Sequence, residues 1–286
     1  MNLDNLVALA YFTGWKLVRA LPEKFAYASF EWIGTITLRR NGAPIRRLRS
    51  NLQRVCPEKD SAAMEQLMVN AVSSYMRYWC DTFRSPDWSK DRVKKTVTVT
   101  REELLTEPMR DGRGVVIALP HAGNWDHAGA YFCGMGFPLV TVAERVKPEA
   151  LFNKFLEYRQ NIGMEVLALD SRSIVTLMQR AREGRLIALV ADRDLSKSGV
   201  DVSFFGHPAR MPAGPALLAI RTGIPLITAY VSYAPTGIHI VFNSVEIPSN
   251  GSEEEKISQV VQKCADLFAE GIASSPQDWH MLQRIW

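Results

Sequence analysis

The run VVIALPHAGNWDHAG, residues 115–129, passes from five apolar residues to a proline, then to two histidines, an asparagine, an aspartate and two glycines. Five apolar side chains in a row, with no polar alternation, suit a strand covered on both faces, as in a parallel sheet between helical layers. Pro120 ends the ladder and Gly123 lets the backbone bend. AGNWDHAG then opens a helix, with Asp126 in its first turn, where the helix dipole favours a carboxylate. A strand that crosses the core and delivers polar groups at its tip is the α/β pattern, in which ligands bind beyond the carboxyl ends of the strands.

Outward from this point the same texture repeats. PLVTVAE, MEVLALD, RLIALVAD, VDVSFFG, PLITAYVSY and IHIVFNSVEI read as further strands, which with GVVIALP makes about seven. Helical patterns lie between them near 124–134, 148–162, 172–184 and 212–222, and a last helix spans Glu253 to Ser274. This alternation predicts a mostly parallel, mixed central sheet flanked by helices, with the final hairpin antiparallel. The 24-residue uncharged stretch Thr222–Val245 contains Pro225, Pro235 and Gly237. It reads as two strands about a turn, and no transmembrane segment is expected.

The first third, 1–95, reads as a helical layer on an α/β core of 96–286, the whole forming one domain. Helices are expected from about Leu3 to Leu21, Lys24 to Arg39 and Ala62 to Phe83. On a wheel, Leu3, Leu6, Val7, Ala10, Gly14, Leu17, Val18 and Leu21 share one side. Phe12 and Trp15 fall with Lys16 and Arg19 on the other. Aromatic residues beside cations on an outer face suit a membrane surface; a helix packed on two sides is the alternative. Charge is uneven: residues 1–60 carry ten Lys and Arg against five Asp and Glu, whereas the whole chain is only +4. Arg39, Arg40, Arg46, Arg47, Arg49 and Arg54 form the densest block, suited to lipid head groups, a phosphorylated ligand or nucleic acid, or to a solvated face. Cys56, Cys80, Cys133 and Cys264 are too scattered for a metal or redox pair and read as reduced thiols. No signal peptide is evident.

His121 and Asp126 are the candidate catalytic pair. Five residues on one helix would leave their side chains about 140° apart, so cooperation requires His121 to sit in the turn. A carboxylate that fixes the tautomer of an imidazole leaves the other ring nitrogen free to take a proton from an attacking hydroxyl. Glu144 and Asp192 each end a predicted strand, which would bring their carboxyl groups to the same rim.

HAGNWD resembles the His, four residues, Asp signature of the glycerolipid and lipid A acyltransferase superfamily. The likeness continues through VAERVKPEALFNKFLEYRQNIGMEVLALD, ALVADRD, FFGHPARMPAGPALLAIRTGIPLI and PQDWHMLQRIW, over nearly the whole chain. Within the superfamily it is similar to the branch of lipid A late acyltransferases and actinobacterial phosphatidylinositol mannoside acyltransferases, and to the latter above all. The resemblance implies transfer of a palmitoyl-type group from acyl-CoA to the 6-hydroxyl of the mannose on position 2 of inositol. The acceptor would be a mannosylated phosphatidylinositol, met by a peripheral protein at an anionic membrane surface on the cytoplasmic face of the plasma membrane. Carried over by position, His121 is the general base, Asp126 its motif partner and Glu144 the glutamate of the relay. Arg159 belongs to the active-site groove, and Asp192, Arg193 and Asp194 lie near the reaction centre. Arg210 and the N-terminal arginines are candidates for the CoA phosphates. An apolar groove for the acyl chain is expected from the central strands and the PAGPALLA helix, and the oxyanion donors from Gly123–Asn124 or Arg159.

Neither a cofactor, a metal nor a nucleic-acid partner is expected. The chain has no Gly-x-Ser-x-Gly elbow and no phosphate loop, and His207, His239 and His280 read as isolated. His127 reads as structural. A lipid A-type or glycerol-phosphate acyltransferase is the alternative enzyme, and a peripheral lipid-binding module the alternative without catalysis.

Overall fold

The computed structural model describes residues 3–143, 149–169, 173–194 and 199–286. Within it, β2 (Val115–Leu119) is buried along its whole length. It lies fourth in a seven-stranded sheet of order β1-β9-β8-β2-β5-β3-β4. The other strands are β1 (Val97–Thr100), β3 (Leu139–Ala143), β4 (Met164–Ala168), β5 (Leu186–Val190), β8 (Leu226–Ala234) and β9 (Gly237–Val245). Every pairing is parallel except β8 with β9, so the expected fold class is observed. Two strand assignments differ. VDVSF forms β6 (Val200–Phe204), which pairs antiparallel with β7 (His207–Met211) in a separate hairpin. Its place in the main sheet is taken by β1, a four-residue edge strand too short to stand out in the sequence.

Alternate residues of β2 feed two cores. Val116 and Ala118 face α9 (Ser173–Arg182), α10 (Gly214–Thr222) and α11 (Glu253–Ser274). Val115, Ile117 and Leu119 face α6 (Glu103–Arg110) and α7 (Trp125–Gly134). Burying each such aliphatic side chain is worth about 1.5–3 kcal/mol, which is why this strand can carry an unfavourable polar cluster at its end.

The N-terminal layer comprises α1 (Leu3–Ala20), α2 (Glu23–Arg40), α3 (Ala43–Val55) and α4 (Ser61–Arg84). The arginine-rich segment is itself the helix α3: Ile45, Leu48, Leu52 and Val55 are buried on one face while Arg46 and Arg47 project outward. Asp60 starts α4 by accepting from the Ala63 N–H at 2.8 Å, an N-cap suited to its short carboxylate. The wheel reading of α1 is changed in part among the described side chains: Lys16 and Arg19 are exposed as expected and Val18 packs on the core, but Trp15 turns inward and two of the leucines outward. Trp15 is buried, donates to the Phe83 carbonyl at 2.9 Å and packs on Phe83 and Phe155, whereas Leu17 is 59% exposed and Leu21 is 37% exposed. Aromatic contacts with α4 outweigh the aliphatic stripe. α5 (Lys90–Lys95) and α8 (Glu149–Asn161) complete the helices among the described residues. None of those is long and apolar enough to cross a membrane. The four cysteines are free thiols.

Candidate active site

The parallel register of β2 and β5 sets the first pair of groups. Leu119 lies opposite Val190, so residues two further along each strand meet at the rim. These are His121 and Asp192. His121 Nδ1 lies 2.6 Å from Asp192 Oδ1, and the His121 backbone N–H donates to Oδ2 at 3.0 Å. The Trp279 indole N–H donates to the same Oδ2 at 2.9 Å. Asp192 has no exposed surface. Burial pushes its pKa up, but the charge and hydrogen bonds of His121, with the Trp279 N–H, outweigh it and hold the carboxyl below its ordinary value. An ionised Asp192 accepts from Nδ1–H, which leaves Nε2 as the basic nitrogen of a ring that is 29% exposed. Among the described residues the carboxylate on this imidazole is therefore Asp192, where the motif spacing predicted Asp126.

The turn after β2 places His121 outside the helix. Gly123 has φ +56°, and a Cβ there would sit 2.5 Å from the Val231 carbonyl oxygen, so only glycine fits. Asn124 caps α7 by accepting from the His127 N–H at 2.9 Å. Asp126 then lies in the first turn of α7, as expected, but points elsewhere. Its carboxylate receives Arg159 Nε at 2.8 Å and Nη2 at 3.3 Å, with the Tyr78 hydroxyl at 3.4 Å. Burial pulls the Arg159 pKa down; the Asp126 charge and hydrogen bond, assisted by Tyr78 and Tyr158, more than reverse this and leave it raised. Trp125 joins the two pairs, stacking on Tyr78 at 4.5 Å and meeting the His121 ring edge-on at 5.7 Å.

The structure thus brings together His121 with Asp192, and Asp126 with Arg159. Glu144 lies outside the described residues. Arg193 is half-buried just past Asp192. Asp194 donates its backbone N–H to the Arg210 carbonyl at 2.8 Å. Arg210 is exposed on β7, where it ion-pairs with Asp201 at 3.3 Å and donates to the Gly199 carbonyl at 2.6 Å. It serves the β6–β7 hairpin there.

An apolar slot runs beneath these groups. Ile117 and Leu119 of β2, Ala188 and Val190 of β5, and Ala229 and Val231 of β8 share one sheet face through their register. Trp125, Gly129 and Phe132 of α7 close the other side, and Asp126 and Arg159 also line it. The slot is narrow, with a cavity volume of about 80 Å³, and it is partly open to solvent. The PAGPALLA segment packs on the opposite face of the sheet, so it does not line this slot.

Several neighbours were not singled out in the sequence. Trp279 sits in PQDWHMLQRIW, a stretch that carries the family likeness but to which no site residue was assigned. His280 is not isolated: its Nε2 lies 2.9 Å from the Ser74 hydroxyl, which donates to Asp278 at 2.7 Å. Burial lowers the His280 pKa to about 3, with the charge of His121 adding to the effect. His127 has the structural role expected. It is buried, 3.1 Å from the Thr96 hydroxyl, and burial lowers its pKa to about 4.

Two comparisons bear on this arrangement. The family described as bacterial lipid A biosynthesis acyltransferase matches residues 2–286. The phosphatidylinositol mannoside acyltransferase of Mycolicibacterium smegmatis is 41% identical over 281 residues, covering 97% of this chain and 90% of that protein. A protein of the same name from Mycobacterium tuberculosis H37Rv is 38% identical over 282 residues, with coverage of 97% and 87%.

Proposed function

Because the chain belongs to the bacterial lipid A biosynthesis acyltransferase family, we propose that it acylates a mannosylated phosphatidylinositol. The donor in this reading is acyl-CoA carrying a palmitoyl-type chain, and the acceptor is the 6-hydroxyl of the 2-linked mannose. The names of relatives at 38% and 41% identity support the acceptor class. The observation that carries the chemistry is an imidazole whose Nδ1 is held by a buried carboxylate and whose flanking residues, Leu119 and Trp125, line an apolar slot.

The mannose hydroxyl is far too weak an acid to ionise first. His121 Nε2 takes its proton as the oxygen attacks the thioester carbonyl carbon, and Asp192 offsets the imidazolium charge. Such positioned help is worth roughly 10² to 10⁴ in rate. The tetrahedral oxyanion then collapses: the C–S bond breaks, the imidazolium returns its proton to the departing thiolate, and the products are the mannosyl ester and free CoA. The Gly123 N–H is already committed to the Asp278 carbonyl at 2.8 Å. This favours Arg159, which lines the slot and whose Nη1 has no hydrogen-bond partner among the described residues, as the oxyanion donor.

Docking at an anionic membrane surface is supported by the outer side of α1 and α2. Leu17 of α1, Leu21 between the helices, and Phe25, Trp32 and Ile33 of α2 are all exposed, close in sequence to Arg39, Arg40, Arg46 and Arg47. Each basic residue near such a surface contributes about 1 kcal/mol. Arg40, Arg47 and Arg284 also line one groove with Tyr75, next to the tail segment that adjoins His121, and offer cations to the CoA phosphates. The test is transfer from labelled palmitoyl-CoA to mannosylated phosphatidylinositol, run beside His121→Ala protein of unchanged fold. Loss of transfer is expected; undiminished transfer by His121→Ala overturns the base assignment. Vesicle co-sedimentation that ignores anionic lipid content and salt overturns the membrane assignment.

A further inference from the structure

The turn that holds His121 is not held by the sheet alone. The C-terminal tail lies across it as a short antiparallel segment, with Ala122 bridged to Trp279. The His280 N–H donates to the His121 carbonyl at 2.8 Å, and the Gly123 N–H donates to the Asp278 carbonyl at 2.8 Å. The tail is itself anchored to three other elements. The Asp278 carboxylate accepts from Ser74 of α4 at 2.7 Å and from the Tyr233 N–H of β8 at 2.9 Å. Asn51 of α3 donates to the Met281 and Gln283 carbonyls, each at 2.9 Å. Trp279 has no exposed surface, and its N–H reaches Asp192 Oδ2.

The geometry points to Trp279 as a positioning residue for the proposed acyl transfer, acting on His121 through Asp192, with residues 278–280 as the strap that carries it. This inference rests on His121 being the general base. Packing alone does not call for an indole N–H, since a benzene ring fills most of the same space. The N–H matters because Asp192 is fully buried and must stay ionised with Oδ1 aimed at Nδ1. Oδ2 is fixed by two donors, the His121 backbone and Trp279. Those two bonds stop the carboxylate from rotating about its Cβ–Cγ bond, so the imidazole meets one oxygen in one orientation. Hydrogen bonds to ionised groups are the strong class, and in a buried site their loss is not made good by water.

The test compares wild type, His121→Ala and Trp279→Phe by steady-state kinetics and by ¹⁵N NMR of labelled histidine, with His121→Ala identifying the His121 signals. Trp279→Phe is expected to lower kcat on the order of 10- to 100-fold, leave KM for both substrates within about twofold, and reduce the share of His121 in the Nδ1–H tautomer. If Trp279→Phe fails to fold, the benzothiophene isostere of Trp279, introduced by ligating a synthetic C-terminal peptide, removes the N–H and keeps the shape. The same fall in kcat is expected. Wild-type kcat and an unchanged tautomer in either N–H-less protein, with His121→Ala inactive, overturn the positioning role and leave the base intact. Undiminished turnover by His121→Ala overturns the base reading itself.

Discussion

Replacing Asp192 with Asn separates the structural assignment from the one the motif suggests. Oδ2 of Asp192 accepts two hydrogen bonds, from the His121 N–H at 3.0 Å and the Trp279 N–H at 2.9 Å. An amide at this position can satisfy both only by placing its oxygen there. Its NH2 then occupies the Oδ1 position, 2.6 Å from His121 Nδ1 in the wild type. Nδ1 must become the acceptor, the proton moves to Nε2, and the ring can no longer accept one from the mannose hydroxyl. In a Ser-His-Asp triad, where a carboxylate likewise sets the tautomer, the same exchange costs about 10⁴ in kcat. Here we expect a loss of roughly 10³ to 10⁴, or about 4–5.5 kcal/mol of transition-state stabilisation. The fold should survive, because shape and hydrogen-bond count are kept. The assay is kcat for transfer from labelled palmitoyl-CoA, with the melting temperature recorded in parallel. An Asp192→Asn protein of wild-type stability within tenfold of wild-type kcat would refute the tautomer argument.

Asp126→Ala should show a different signature. It strands a largely buried guanidinium, and breaking a buried pair from one side costs about 3–5 kcal/mol. Urea unfolding should register that loss, and an unchanged midpoint would contradict it. Gly123→Ala should lower both stability and kcat, because the added Cβ meets the Val231 carbonyl oxygen at 2.5 Å in a backbone with φ +56°; a fully active, equally stable variant would show that the turn tolerates the side chain. Burial lowers the pKa of His127 to about 4 and of His280 to about 3, below the unfolded value near 6.5. The unfolded chain therefore binds more protons in that window. Each histidine contributes stability that is present above pH 6.5 and is lost as pH falls toward its folded value, by up to about 1.4 kcal/mol per pH unit. Denaturant titrations from pH 7 to pH 4 should show His127→Gln with a shallower decline than wild type, and equal slopes would count against the buried neutral ring.

Much of the scaffold is legible in the sequence because the relevant signals are local. Continuous apolar runs marked β2 and β5, and their parallel order placed residues 121 and 192 on one rim. The turn chemistry of Pro120 and Gly123 marked the start of α7. The partner of His121 was harder to read, because it depends on register between strands 71 residues apart, whereas the motif spacing links His121 to a residue five positions away. Asp126 shares the motif, but its first-turn position on α7 aims it at Arg159 of α8. Trp279 carries no local mark: only tertiary folding reveals that its indole donates to a carboxylate. α1 departs from its wheel at Trp15 for a similar reason. Its aliphatic stripe satisfies a helical wheel, yet Trp15 gains a hydrogen bond and two aromatic neighbours by turning inward. α3 escaped notice because its arginines masked a regular buried face at Ile45, Leu48, Leu52 and Val55.

The most direct measurement is a single-turnover experiment with purified protein, labelled palmitoyl-CoA and a mannosylated phosphatidylinositol in mixed vesicles. The account predicts stoichiometric ester formation and CoA release by the wild type, with the chemical step slowed by at least about 10² in His121→Ala. An ester formed at the wild-type rate by folded His121→Ala, or a wild type that binds both lipids and transfers nothing, would contradict it.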